Sequence, residues 1–126
     1  MSLEKDLATA RINFDNWAIE LVQGTLFSMT SRIVKESPVD TGRFRNNWFA
    51  SIGRPITGTT EKVDRTGASA INRAGKIVEA LDKGETFYLA NNLPYAQRLE
   101  YGYSDQAPAG MLRVNVERVR AAMPKT

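Results

Sequence analysis

Residues 37–49, SPVDTGRFRNNWF, hold the most chemically suggestive tripeptide of the chain, Asp40-Thr41-Gly42. In aspartic-type hydrolysis a carboxylate in this setting shares one proton with a second carboxylate. That chemistry needs two such carboxylates in a dry cleft, and this chain has one Asp-Thr-Gly, so a dimer across the loop would be required. The motif also leads straight into Arg43 and Arg45. Cations so close keep a carboxylate ionised and work against proton sharing. A turn accounts for the same residues. Pro38 rigidifies a helix exit, Asp40 and Thr41 can bond backbone N–H groups, and Gly42 can take positive φ. The sequence thus favours a connector over a catalytic Asp40.

The 126 residues include no cysteine and no histidine. Disulfides, thiolate nucleophiles, the commonest zinc ligands and the usual neutral-pH general base are therefore excluded. The expectation is a binding or structural protein, not an enzyme, with no cofactor or metal. The length suits a single domain, 1–126, and a hydrophobic fraction of 42% is enough for a core. No run of eighteen apolar residues exists to cross a bilayer. The N-terminal MSLEKDLATARINF carries acids where a secretion signal needs basic residues, which implies synthesis and use in a cytoplasm.

Positioning elements follow from periodicity. Leu3, Leu7, Ala10, Phe14, Trp17 and Leu21, continued by Val22, Leu26, Met29 and Ile33, predict one helix over 3–36. It would be on the order of 50 Å long. A domain of this size is roughly 36 Å across, so the helix either breaks near Gly24 or projects towards another molecule. Phe44, Trp48, Ala50 and Ile52 alternate, with Asn46 as the exception, and predict a strand over 43–53. Residues 54–67 predict a long exposed loop, with a mobile hairpin as the alternative form. Ile71, Ala74, Val78 and Leu81 mark a second helix, residues 85–91 a second strand, and 95–101 a short helix. Leu112, Val116, Val119 and Met123 mark a last helix, although Leu112, Val114 and Val116 also fit an extension of the sheet. The predicted fold class is α+β: a long N-terminal helix packed on a small antiparallel sheet, with further short helices.

Charge is uneven. Residues 1–42 are net −2 and residues 43–76 net +5, while 77–112 are net −3 and 113–126 net +3. Such blocks either join identical copies head to tail or are mixed by folding into one solvated surface. Arg43, Arg45, Arg54, Lys62, Arg65, Arg73 and Lys76 form the basic block and are candidate DNA or subunit contacts. No helix-turn-helix, zinc ligand set or RNA-binding aromatic motif accompanies them.

Three separated stretches carry a family resemblance. They are PVDTGRFR with Trp48, then NNLPYA (91–96) with LEYG (99–102), and then PAGMLR (108–113). Together they resemble the small minor tail or tail-completion proteins of long-tailed phages, of the lambda Z type. The likeness spans Ser37 to Arg113 and rests on Pro38, Asp40, Thr41, Gly42, Trp48, Pro94, Tyr95, Glu100, Tyr101 and Gly102. Two departures stand out: Phe44 where an aliphatic residue is common, and Gly110-Met111 in the last loop.

The resemblance implies a structural subunit of a tailed phage or prophage, acting in tail completion or head–tail joining. Its implied partners are other tail or neck proteins, in a homo-oligomeric ring around the DNA channel; the basic block adds an expected non-specific DNA contact, and the lack of a long apolar run an expected absence of membrane. Its implied location is the virion, after assembly in the host bacterial cytoplasm. A basic nucleic-acid-binding module is the alternative, and an aspartic-type hydrolase the weakest reading. Within the motifs, Glu100 can pair with Arg43 or Arg45, either inside the subunit or between subunits.

Overall fold

Phe87–Asn91 forms the strand about which the rest is arranged. The computed structural model describes residues 2–3, 8–12, 18–102, 104–107 and 109–122. In chain order the elements are β1 (Ser2–Leu3), β2 (Ala8–Ile12), α1 (Ile19–Glu36), α2 (Arg43–Asn46) and β3 (Trp48–Ile52). They continue as α3 (Ala68–Ala80), β4 (Phe87–Asn91), α4 (Ala96–Glu100) and α5 (Leu112–Ala122). The sheet is antiparallel in the order β1-β2-β4-β3. Asn91 lies opposite Trp48 on one side and Ala8 on the other, while Phe87 lies opposite Ile52 and Ile12. The fold is α+β, as the sequence predicts.

One buried cluster joins the layers. It takes Val22, Leu26, Met29 and Ile33 from α1, Trp48 from β3, and Phe87 and Leu89 from β4. Val78 of α3 and Leu112, Val116 and Val119 of α5 complete it. Helix α3 packs on both β3 and α1, and α5 packs on α1. The apolar period read from 22 to 33 is therefore the core face of α1, whereas Leu21 of the other stripe is 54% exposed.

Three expectations are corrected. The N-terminal helix does not run over 3–36: it starts at Ile19, and residues 2–3 and 8–12 are strand. Leu7, Phe14, Trp17 and, at the other end, Met123 lie outside the described residues. The reason is tertiary. A strand edge presents unpaired N–H and C=O groups, and residues 8–12 cover the free edge of β4. The 18 residues of α1 span about 27 Å. The helix therefore passes through Gly24 unbroken and does not outrun the domain.

Second, Arg43–Asn46 is a helical turn, and the strand begins only at Trp48. Phe44 and Trp48 are four apart, a spacing that a turn of helix satisfies, and their rings meet edge to face at 5.8 Å. Asn46, which breaks the alternation, is buried. Third, residues 54–67 are the long, mostly exposed loop that the sequence predicts, but not a hairpin. They run along α2 and are bonded to it by side chains described below.

Trp48 is 1% exposed, and its indole N–H donates to Ser37 Oγ at 2.8 Å, which fixes the start of β3 against the end of α1. Trp48→Ala should destabilise by about 3–5 kcal/mol, and Trp48→Phe by clearly less. Urea unfolding of the two variants checks this. An alanine variant within about 0.5 kcal/mol of the parent, the range of a surface change, would remove Trp48 from the core.

Candidate functional site

The end of α1 sets up the Asp-Thr-Gly loop. Ser37 has extended geometry (φ −67, ψ 138), which Pro38 imposes on the residue before it. The last carbonyls of a helix have no partner within it. Ser37 Oγ donates to Ile33 O at 2.6 Å. Arg45 supplies a fork: Nη2 donates to Lys35 O at 2.7 Å and Nε to Ser37 O at 3.0 Å. Its third donation, from Nη1 to Arg65 O at 2.7 Å, ties the long loop to the same point.

Gly42 is the pivot. Its φ is +94, and a Cβ there would lie 2.4 Å from the backbone nitrogen of Arg65. Its carbonyl accepts from Asn46 N at 3.1 Å, which closes α2, and from Asp64 N at 3.2 Å. Thr41 Oγ1 accepts from Arg43 N at 3.1 Å, the turn bond expected of it. Asp40 departs from expectation: its side chain is exposed and makes no hydrogen bond or ion pair among the described residues.

The backbone against which Gly42 packs belongs to a second acidic turn, Asp64-Arg65-Thr66-Gly67. Asp64 Oδ1 accepts from Thr66 Oγ1 at 2.6 Å and Thr66 N at 2.9 Å, and Oδ2 accepts from Ser69 N at 2.9 Å. The Thr66 hydroxyl, followed by the Ser69 N–H, holds this carboxyl well below the usual carboxylate range. Asp64 thus serves the N-terminus of α3 as a fixed anion. One carboxylate in open water and another saturated by donors are not a pair sharing a proton.

Asparagines hold the long loop. Asn47 Nδ2 donates to Thr60 O at 2.9 Å, and Asn47 Oδ1 accepts from Thr60 N at 2.9 Å. Asn46 Nδ2 donates to Lys62 O at 3.1 Å, and Asn92 Nδ2 to Ile56 O at 2.7 Å. Arg73 of α3 closes the network. It donates to Asn46 Oδ1 at 3.0 Å, Asn46 O at 2.7 Å and Trp48 O at 3.2 Å, and its guanidinium lies 4.5 Å from the Phe49 ring centre. Burial pulls Arg73 below the ordinary guanidinium range, partly offset by the charge of Asp64.

The second motif meets the first from the other side. Asn91 Nδ2 donates to Phe44 O at 2.9 Å, and the Phe44 and Tyr95 rings are 6.0 Å apart. Between them lies a cleft of about 580 Å³ whose lining includes Pro38, Asp40, Thr41, Phe44, Tyr95 and Leu99. Gln106 docks on one rim, accepting from Val39 N at 2.9 Å and donating to Val39 O at 3.1 Å. Pro94 and Tyr95 are exposed, and Gly102 (φ 91) stops α4 as its sequence position implies.

Glu100 pairs with neither Arg43 nor Arg45. It is 2% exposed and sits at the start of α5. Oε1 accepts from Met111 N at 3.0 Å and Leu112 N at 2.8 Å, and Oε2 accepts from Arg113 N at 2.9 Å. Arg113 Nε adds a charged donor at 2.9 Å, and its guanidinium stacks 4.3 Å from the centre of Tyr101. The reason is local: the chain before α5 is Gly110-Met111, with no capping side chain, so the orphan N–H groups recruit a remote carboxylate. The close approach requires Gly110, where a Cβ would lie 2.2 Å from Glu100 O.

The seven cations divide. Arg45 and Arg73 are structural, and Arg43 reaches Thr60 O at 3.4 Å. Arg54, Lys62, Arg65 and Lys76 are exposed and form no ion pair among the described residues. The tail block meets the first block within one chain, through Arg118 and Glu36 at 3.0 Å. Sequence reading missed Asn46, Asn47, Asn92, Asp64, Arg113 and Gln106. The adjacent Asn46-Asn47 inside an apolar alternation was the available signal.

Comparison of the chain with family models, with curated proteins and with solved structures returns no match. Among the described residues no cluster of three acidic side chains is placed to hold a metal ion, and no helix is long and apolar enough to cross a membrane.

Gly42→Ala should destabilise by at least about 2–3 kcal/mol, since positive φ and a backbone clash act together. Asp40→Asn should stay within about 0.5 kcal/mol of the parent. Thermal melts of both variants check the contrast. Equal effects would show that the loop is held otherwise than through Gly42.

Proposed function

We propose that the chain is a structural subunit of a tailed phage or prophage, acting in tail completion or head–tail joining within a homo-oligomeric ring. One observation carries this reading: the stretches that resemble the tail-completion family are far apart in sequence and act together in the fold. The loop 38–44 and helix α4 line one cleft. Asn91 bonds the carbonyl of Phe44, and Glu100 holds the backbone of 111–113. Each motif thus has a partner in another motif, which supports their being one pattern and not separate chance matches.

A subunit of this kind works by holding a rigid shape while presenting surface to neighbours. The motif residues fit the first role, because Gly42, Trp48 and Glu100 are buried. Exposed apolar side chains fit the second: Leu21, Phe27, Ile56, Val63, Tyr95 and Tyr101 stand on the surface. The partners are other tail or neck proteins and copies of the chain itself, and the place of action is the virion. Asp40, open to solvent, supports a loop role over hydrolysis.

Deleting the gene from its phage should leave filled heads and tails that do not form infectious particles, with titre restored when the gene is supplied in trans. Electron microscopy of lysates reads the particles and plaque counts read the titre. Full titre without the gene would exclude the assembly role.

A further inference from the structure

Hydrogen bonds bring the backbone at Lys62 and Arg65 beside Arg45 and Arg73. Lys62 lends its carbonyl to Asn46, Asn46 accepts from Arg73, and Arg65 lends its carbonyl to Arg45. Lys76 follows Arg73 by one turn of α3. Backbone contacts thus seat Lys62 and Arg65 beside α2 and α3, while their own side chains are exposed and form no ion pair among the described residues. Arg45 and Arg73 lie beneath as fixed positive charge. Of the two acids in the block, Asp64 turns its carboxylate into N–H and hydroxyl donors, and Glu61 is exposed.

We infer that this face, centred on Lys62, Arg65 and Lys76, binds the phosphate backbone of double-stranded DNA without regard to sequence. The chemistry fits a polyanion with regularly spaced charges: exposed cations for phosphates over a hydrogen-bonded scaffold. Phosphate contacts need no base-reading side chain. The exposed Ser69 and Asn72 of α3 are polar types that also bond phosphate oxygens. An acidic protein surface is the competing occupant. Glu20, Glu79, Asp82, Glu85 and Asp105 are exposed and form no ion pair among the described residues, so a second copy is the alternative that the self-association arm of the test reads. The inference rests on the assembly reading only for where DNA would be met.

The test uses fluorescence anisotropy of a labelled 20-bp duplex with the full-length chain, repeated with a duplex of scrambled sequence. Three or four phosphate contacts should weaken binding by about 100-fold between 50 and 200 mM salt, equally for both duplexes. The variant Lys62→Glu/Arg65→Glu/Lys76→Glu should lose binding at least 10-fold more than a charge-matched control, Arg32→Glu/Arg98→Glu/Arg120→Glu. Circular dichroism verifies that both remain folded. Equal losses in the two variants would overturn the proposal, since net charge alone would then explain binding. No DNA binding by the parent, with self-association lost in the first variant only, would overturn it in favour of a second copy. Loss of DNA binding alongside full complementation of the deleted gene would leave the assembly reading standing.

Discussion

A long stretch of chain without regular secondary structure must find partners for its own backbone, and that constraint organises this domain. Residues 54–67 lie between β3 and α3, and a carbonyl or N–H left unpaired there costs free energy wherever water is excluded. Asn46, Asn47 and Asn92 answer it with side-chain amides, and Arg45 with a guanidinium. Each of these residues lies in, or directly after, α2 or β4. The loop is thereby an extension of α2. Arg45 and Arg73 are charged residues whose work is scaffolding, which is why the local positive field persists even where a cation is not free to meet a ligand.

The same logic governs the other junctions. The end of α1, which Ser37 caps locally, and the start of α5, which has no neighbouring cap, both draw on remote side chains. Arg45 supplies donors to the carbonyls of α1, and Glu100 supplies acceptors to the N–H groups of α5. Both are charge-assisted, and both act along the favourable direction of the helix dipole. Glu100 is buried and Arg113 half-buried, so removing either partner would leave an uncompensated charge. The residues of the family-like pattern are thus mostly joints. The partner surface we propose then lies beside them, on the exposed aromatics of the cleft rim and on the cations of the loop.

What was legible in the sequence was whatever a single period encodes. The core face of α1 from Val22 to Ile33, helix α3, strand β4 and helix α5 all follow from apolar spacing. What was not legible depended on pairing across the chain. The stripe from Leu3 to Leu21 reads as helix, yet residues 2–3 and 8–12 join the sheet, because an edge of β4 needed covering. Arg43–Asn46 reads as strand, yet Gly42 in the left-handed region starts a turn there. In the site, the roles of Pro38 and Gly42 were visible as turn chemistry. The true partner of Glu100 was not, because nothing in the spacing of 100 and 113 reveals a missing cap at residue 110. The anchors of the long loop were hidden for the same reason. Polar composition suggests exposure, but the asparagines that bind the loop lie outside it.

The most direct test of this account is amide hydrogen exchange in the free protein, read at Thr60 and Asp64. The N–H of Thr60 donates to Asn47 Oδ1 and that of Asp64 to Gly42 O. If side-chain clamps fix the loop, both amides should be protected well above the neighbouring exposed Thr59 and Glu61, and Asn47→Ala should remove the protection at Thr60. Exchange at unstructured-chain rates for both amides in the parent protein would contradict it.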